Sequence, residues 1–171
     1  PTSQSTALSS AELRVLLLRR FQLPLPLSVR RCGCGGLLDP HGDHRAACST
    51  CGVLRKRAKP LEKALARVCR EAGARVAEDV LLRDLNLTGI SARDGRQLEV
   101  VANGLPLWGG AQLAIDTTMV SPVSRQGAPQ PNCHAQDGTQ LREARRRKER
   151  KYRELLASRR ARLVVVALEV G

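Results

Sequence analysis

The stretch AQLAIDTTMV, residues 111–120, is an apolar run that a single carboxylate interrupts. Successive side chains of a strand point to opposite faces of a sheet, so Leu113, Ile115 and Met119 share one face and Asp116 lies on the other. Glycines precede the run and a proline follows it, which is typical of a strand boundary. The stretch therefore predicts a core strand with Asp116 on the face opposite its largest apolar side chains.

Segments on either side of this strand predict an α/β fold. Two predicted helices would flank the sheet, at residues 60–72 and 139–158, and the other predicted strands are 75–82, 97–102 and 162–170. The order helix, strand, strand, strand, helix, strand favours a mixed sheet between helices. The nearly unbroken apolar last strand is typical of one covered on both faces. A shorter amphipathic helix is predicted over residues 11–21, and a loop over 122–138.

The chain is strongly basic, with 29 Lys and Arg against 16 Asp and Glu in 171 residues and a net charge of +13. Nucleic acid fits this charge better than a membrane does, because no apolar run approaches the roughly 20 residues of a spanning helix. An aromatic content of 2% argues against base stacking as the main binding device. A basic surface without a binding role is the alternative.

Residues 29–54 predict a small metal-held unit. The segment offers three thiolates and one imidazole, a set that Zn²⁺ binds tetrahedrally, in the pattern Cys32-x-Cys34-x9-His44-x3-Cys48. His41 and Cys51 compete as ligands. Disulfides of a secreted protein are one alternative, and small buried cysteines are another, although few apolar groups surround them. A site with four protein ligands is structural, and so small a knuckle is suited to positioning the chain on nucleic acid.

Two carboxylates in apolar strands predict a second metal site. Glu99 lies in strand 97–102 and Asp116 in strand 111–120, where a carboxylate is costly unless it is paired. On neighbouring strands the two would form an oxygen site for Mg²⁺ or Mn²⁺. Glu62, in the first turn of helix 60–72, is a third candidate ligand or a general base. Alternatively, it interacts with the helix dipole.

Lys148 falls on the packing face of helix 139–158, at helical spacing from Leu141, Ala144, Tyr152 and Leu155. A lysine there needs an anion, and near a scissile phosphate it would stabilise developing negative charge or orient water. Lys151 is the second candidate for this role. The alternative is a solvated basic face whose lysine stems cover the core. The residues expected to contact nucleic acid are Arg55, Lys56, Arg57, Arg145, Arg146 and Arg147.

These motifs together resemble the region after the reverse transcriptase in site-specific non-LTR retrotransposons. The resemblance covers roughly residues 30–171, on the Cys/His pattern, LEVVA (98–102), AIDTT (114–118) and RKERKY (147–152). In that family a CCHC zinc knuckle precedes a restriction-endonuclease-like domain. The resemblance implies a linker with a short helix over residues 1–28, a knuckle over 29–54 and an endonuclease domain over 55–171.

The resemblance also implies a catalytic site and its partners. Glu99 and Asp116 take the two acid positions, and Lys148 and Lys151 the lysines of a Lys-x-x-Lys-Tyr helix. The implied activity is nicking of target DNA, whose free 3′ end then primes reverse transcription. Leu98-Glu99 stands where the family has Pro-Asp, and the interval to Asp116 is a few residues longer. DNA, the rest of a polyprotein and the element's RNA are the implied partners, and the nucleus the implied location.

Two other functions fit the same residues. The first is a non-catalytic nucleic-acid-binding module, from a decayed element, in which the knuckle and the basic helix position a longer polypeptide. The second is a host protein that uses the fold as a scaffold. A start at Pro1 without methionine and a stop after an apolar run favour a module of a longer chain.

Overall fold

The computed structural model describes residues 7–48, 50 and 53–170, with side chains throughout these ranges except at 53–57. One sheet contains four strands in spatial order, namely β1 (Arg75–Leu81), β2 (Gln97–Asn103), β3 (Gln112–Val120) and β4 (Ala161–Glu169). The pairs β1–β2 and β2–β3 are antiparallel, and β3–β4 is parallel. The predicted α/β fold with a mixed sheet is confirmed.

Helices occupy both faces of this sheet. The helices of the described residues are α1 (Ser10–Arg20), α2 (Asp43–Ala47), α3 (Val53–Glu71), α4 (Thr139–Lys151) and α5 (Arg153–Ala157), and short 3₁₀ turns span Leu82–Leu85 and Trp108–Gly110. Helix α3 begins earlier than predicted, so Pro60 lies inside it rather than in its first turn. Proline has no N–H, and α3 therefore lacks one internal hydrogen bond at that point.

Two apolar layers hold the helices to the sheet. Helix α3 packs on one face over a cluster made of Ala66, Cys69, Ala74, Val100, Ala102, Leu105, Leu113 and Ile115. Helices α4 and α5 cover the other face over Leu82, Leu98, Val101, Ala114, Tyr152, Leu155 and Ala161. The result is a three-layer α/β/α arrangement in which Asp116 projects, with Ala114, toward α4.

Strand β4 lies at an edge of the described sheet. Its Leu163 packs on the α4–α5 cluster, whereas Val164 and Val166 pack on the α3 cluster. Most of its residues are nevertheless only half-buried, because an edge strand has a neighbour on one side alone. Strand β4 therefore has packing contacts on both faces, as predicted, but its side chains are not fully buried.

The predicted helix 139–158 is broken at Tyr152, which separates α4 from α5. Tyr152 departs from helical geometry, with φ −121° and ψ 42°. Its N–H still bonds the Lys148 carbonyl, but the next turn closes by a bond from the Leu155 N–H to the Tyr152 carbonyl. The break places the Tyr152 side chain in the core, where it is 0% exposed.

Strands β2 and β3 separate next to the two predicted acids. Their paired residues run from Ala102–Leu113 to Val100–Ile115, and one further step would place Glu99 opposite Asp116. The ladder ends before that step. Both acids therefore lie where the sheet opens, and side-chain contacts replace the backbone pairing.

Helix α1 lies against α2 through one side chain. The Arg19 guanidinium donates to the His41 carbonyl at 2.8 Å and lies 3.7 Å from the Asp43 carboxylate. None of the residues of α1 is buried, and its Leu13, Leu16 and Leu17 are exposed. Of the helices that the structure describes, none combines the length and apolarity that crossing a bilayer requires.

The packing of α5 predicts a large difference between two adjacent leucines. Leu155 is 0% exposed and Leu156 is 51% exposed. We expect Leu155→Ala to lower the free energy of unfolding by about 2–5 kcal/mol, because it removes buried methyl groups and leaves a cavity. Leu156→Ala should change it by less than about 1 kcal/mol. Urea denaturation measures both, and equal losses would contradict this packing of α5.

Candidate functional site

Four cysteine and histidine side chains converge in the segment before α3. The ligand atoms of Cys32, Cys34, His44 and Cys48 all lie within 4.8 Å of one another. The Sγ atoms of Cys32 and Cys48 are 3.8 Å apart, and the Cys34 Sγ is 3.2 Å from the His44 Nε2. A tetrahedral ion with Zn–S bonds of ~2.3 Å holds its sulfur ligands roughly 3.8 Å apart. The arrangement fits structural zinc.

The alternatives for this segment fit less well. A disulfide requires sulfur atoms ~2.05 Å apart, far closer than the 3.8 Å between Cys32 and Cys48. His41 is not among the converging residues, and its Nδ1 is buried without a hydrogen-bond partner among the described atoms. Cys51 lies outside the described residues. The predicted four-residue set is therefore the one that the structure brings together.

Tight turns of the chain shape this cluster. The Gly35 N–H bonds the Cys32 carbonyl, and the Cys32 N–H bonds the Gly36 carbonyl, both at 2.8 Å. A Cβ atom at Gly36 would lie 2.5 Å from the His44 ring, so no larger residue fits there without moving the imidazole. The Asp39 carboxylate accepts the His44 N–H at 2.6 Å and thereby fixes the start of α2.

The second ring nitrogen of His44 has a partner far along the chain. The His44 Nδ1 lies 3.1 Å from the backbone carbonyl of Arg125. A ring that donates its Nδ1–H to a carbonyl presents Nε2, with its lone pair, to a metal, and such partners are usual for metal-binding histidines. Arg125 belongs to the loop between β3 and α4. The Cys/His unit therefore contacts the loop that connects β3 to α4. Strand β3 carries Asp116, and α4 carries Lys148.

Asp116 is the most deeply buried charged group among the described residues, at 0% exposure. The Lys148 Nζ contacts its Oδ2. The Tyr152 hydroxyl lies 2.9 Å from its Oδ1 and 2.6 Å from the Gln97 carbonyl. Burial, followed by the Asp116 charge, raises the pKa of Tyr152, so its hydroxyl keeps its proton. Asp116 is thus held by one cation and one hydroxyl, both from the α4 side of the sheet.

Glu99 interacts with Asp116 across the opening between β2 and β3. Its Oε2 accepts the Thr117 N–H at 3.0 Å, in place of the ladder pairing that stops there. Burial, together with the nearby Asp116 charge, raises the pKa of Glu99 to about 7, although Lys148 and the Thr117 N–H oppose the shift. Two carboxylates that repel each other beside one lysine would be stabilised by a further cation.

A pocket of about 780 Å³ opens over Glu99 and is also lined by Glu62 and Lys151. Glu62 is 7% exposed, and its Oε2 lies 2.8 Å from the Lys59 Nζ. Among the described side chains, Glu62, Glu99 and Asp116 do not converge as tightly as the Cys/His set does. The structure thus places Glu62 in the pocket of Glu99 but pairs it with a lysine.

Lys148 and Lys151 have different surroundings. The Lys148 side chain is 21% exposed and reaches Asp116, whereas Lys151 is exposed and lines the pocket. The Lys151 Nζ also lies 4.6 Å from the centre of the Tyr152 ring. Of the two, Lys148 lies beside the buried acid and Lys151 beside the open space.

Arg96 is a residue of the site that the sequence patterns did not reveal. Its guanidinium lies 2.6 Å from Asp94 and 2.9 Å from Glu154 on α5, and it also donates to the Lys151 carbonyl, which the helix break leaves exposed. These contacts join the start of β2 to the α4–α5 junction. A local signal was absent, because an arginine after an Asp-Gly turn predicts nothing about a helix 55 residues away.

The predicted nucleic-acid contacts on α4 are partly neutralised. Arg145 lies 2.7 Å from Glu149, and Arg146 lies 2.9 Å from Glu143, along the same helix. Arg147 is exposed. The side chains of Arg55, Lys56 and Arg57, in the first turns of α3, lie outside those that the structure describes.

Comparisons with protein-family models, with curated proteins and with solved structures give no significant match to this chain. The likeness to the retrotransposon region therefore stays a prediction from short motifs. Function has to be inferred from the geometry of the two sites.

The Cys/His geometry predicts one bound zinc ion per chain. We expect Cys32→Ser to lose most of that zinc, because a hydroxyl is a poor replacement for a thiolate ligand. Cys133→Ser is the matched control, since Cys133 lies outside the converging set. Elemental analysis of the purified proteins measures the ratio of zinc to protein. Zinc well below one equivalent in the parent, or equal loss in both variants, would refute the site.

The raised pKa of Glu99 predicts how stability varies with pH. The folded protein keeps this proton up to about pH 7, whereas the ordinary pKa of a glutamate is 4.5. Between these values the folded state binds more protons, so the free energy of unfolding falls as pH rises. Glu99→Gln removes this loss, and without Mg²⁺ it should exceed the parent at pH 8 by on the order of 1 kcal/mol.

The difference between parent and Glu99→Gln should vanish below about pH 3.5, well under the ordinary value of 4.5, because the parent carboxyl is then protonated in both states. Glu169→Gln, at an exposed acid of β4, is the matched control and should track the parent throughout. Urea denaturation at a series of pH values gives all three curves. A constant offset between the parent and Glu99→Gln would contradict the predicted pKa shift.

Proposed function

We propose that this chain is a divalent-metal-dependent DNA endonuclease of the restriction-endonuclease-like class, with a structural zinc knuckle. The observation that carries the proposal is the meeting of Glu99, Asp116 and Lys148 where β2 and β3 separate. Two interacting carboxylates beside a lysine form a donor set suited to Mg²⁺ or Mn²⁺ and a phosphate. Of these three groups Glu99 lines the open pocket, whereas Asp116 and Lys148 lie behind it.

The architecture and the motif order support the same proposal. A mixed sheet between helices is compatible with a restriction-endonuclease-like core, although it is also found in other folds. The acids come from adjacent strands and the lysine from the helix that follows, in the order that the resemblance implies. The basic charge of the chain suits a polyanionic substrate.

The side chains have separate tasks in this proposal. A divalent ion bound by Glu99 and Asp116 would supply Lewis acidity and would favour ionisation of a coordinated water. Lys148, held beside Asp116, stabilises negative charge that develops on the phosphate. Tyr152 orients the Asp116 carboxylate through its hydroxyl. Lys151 provides positive charge at the pocket wall, where the DNA strand would enter.

Glu62 has a secondary place in this scheme. It lines the same pocket as Glu99, so it is available as a further oxygen ligand or as a base. Its ion pair with Lys59 would have to open first. We therefore assign metal binding to Glu99 and Asp116 and leave Glu62 as an auxiliary ligand.

The biological setting follows from the motif resemblance. The nick would be made in target DNA to prime reverse transcription in a non-LTR retrotransposon. The rest of such a polyprotein, and the element's RNA, would then be partners, and the reaction would take place in the nucleus.

A non-catalytic nucleic-acid-binding module is the second candidate. It is favoured by the direct pairing of Asp116 with Lys148 and of Glu62 with Lys59, which neutralises two of the three acids without a metal. Such a chain would bind DNA through its basic surface and leave it intact.

Plasmid nicking separates the two candidates. With Mg²⁺ or Mn²⁺ we expect the chain to convert supercoiled plasmid to the nicked form, and Asp116→Asn and Lys148→Met to slow this at least ~100-fold. Asp84→Asn is the control, because Asp84 is exposed and lies outside the pocket. Gel electrophoresis over time gives the rates.

The outcome is decisive in either direction. A parent protein that binds DNA but never nicks it in either metal ion would favour the non-catalytic module. Nicking that survives in both Asp116→Asn and Lys148→Met, with folding checked by circular dichroism, would place the active site elsewhere.

A further inference from the structure

A second groove, of about 590 Å³, adjoins the carboxylate pocket at the α5 end of the sheet. Arg96 lines the carboxylate pocket, and its ion-pair partner Glu154 lines the second groove. The Arg96–Glu154 ion pair therefore forms a wall between the carboxylate pocket and the second groove. Three arginines, Arg153, Arg159 and Arg160, line the groove, and all three are exposed.

The positive charge of this groove is not cancelled locally. Among the described residues none of its three arginines has an ion-pair partner. The acid in its lining, Glu154, is already held by Arg96 at 2.9 Å, and this contact lowers the pKa of Glu154. The groove thus has a net positive charge, in contrast to the paired Arg145 and Arg146 of α4.

The other polar groups of the groove favour a phosphate. The Ser158 Oγ accepts the N–H groups of Arg160 and Ala161 at 3.1 and 3.2 Å, so its own hydroxyl proton can be donated outward. Guanidinium groups match phosphate oxygens with paired hydrogen bonds. Tyr, Trp and Phe are absent from the described lining, so the groove offers no platform for stacking unpaired bases.

The basic surface continues past the groove. Arg153 also lines a neighbouring depression together with Arg146, Arg150 and Glu149 on α4. The Glu149 carboxylate is already paired with Arg145 at 2.7 Å. One connected track is therefore formed by Arg146, Arg150, Arg153, Arg159 and Arg160, and we call it the α5 arginine track. Of these five, Arg146 has an ion-pair partner among the described residues, Glu143. A continuous track suits a regular polyanion better than a small isolated anion.

We propose that the α5 arginine track binds the phosphate backbone of duplex DNA beside the strand that reaches the carboxylate pocket. The link to cleavage rests on the proposed function, whereas the binding itself does not. The shared Arg96–Glu154 wall would then set the distance between the duplex and the pocket. The contacts are to phosphates, so they position the DNA without reading its sequence.

Fluorescence anisotropy with a labelled 30-bp duplex tests the proposal, without Mg²⁺ or Mn²⁺ and over a series of salt concentrations. The variant is Arg159→Gln/Arg160→Gln. We expect its Kd to rise about tenfold at low salt, and the slope of log K against log salt to become shallower by about 2, one per lost phosphate contact. Arg153→Gln, which changes a residue of α5, should likewise raise the Kd and make the salt slope shallower.

The matched control is Arg14→Gln/Arg20→Gln, which removes the same charge from exposed positions of α1. We expect its salt slope to stay close to that of the parent. A single strand of the same sequence and an RNA duplex serve as competitors and should compete more weakly than the DNA duplex. Thermal melting confirms that each variant is folded.

Equal losses in the two double variants, or an unchanged slope in Arg159→Gln/Arg160→Gln, would overturn the proposal, as would a clear preference for RNA. These outcomes are independent of nicking. If the parent chain never nicks DNA but its duplex binding depends on Arg159 and Arg160, the proposal for the track stands and the proposed endonuclease function fails. If the parent chain nicks DNA but the duplex binds equally well to the variant without these arginines, the endonuclease function stands and the proposal for the track fails.

Discussion

The burial of the Asp116 carboxylate is the constraint on which the rest of the sheet region depends. A charge that is 0% exposed must be paired, because unpaired it would cost several kcal/mol. Both partners come from the α4 side, Lys148 from the helix and Tyr152 from its end. Tyr152 reaches Asp116 because the helix breaks there, and the break exposes the carbonyl that Arg96 then binds. One buried carboxylate thus fixes the packing of α4, the start of α5 and the position of β2.

The same site is electrostatically unbalanced without a metal. Burial, followed by the Asp116 charge, raises the pKa of Glu99, and the lysine that pairs with Asp116 does not compensate fully. Sites that sacrifice local stability in this way are often functional, because binding of a ligand then recovers the energy. The Cys/His cluster differs, since its four groups are all ordinary zinc ligands and their arrangement fits a structural ion.

Sequence patterns predicted the parts of the site that depend on local periodicity. Asp116 was visible as a charge in an apolar strand, and Lys148 as a charge on the apolar face of a helix. The Cys/His spacing likewise indicated its four ligands. Contacts between distant backbone groups were not predictable, such as the Arg125 carbonyl on His44. The interior position of Pro60 and the helix break at Tyr152 were missed because tertiary contacts override local preference there.

The parallel pairing of β3 with β4 has a consequence for how the molecule forms. A parallel pair needs a long crossover, and here that crossover contains α4 and α5 with the lysines. Strand β4 is also the last of the described strands along the chain. We therefore expect Asp116 to leave the ribosome well before the groups that neutralise it, and the sheet to close only after residue 169 has emerged. Until then the nascent chain must tolerate an unpaired acid and an open sheet edge, a state in which chaperone binding would be useful.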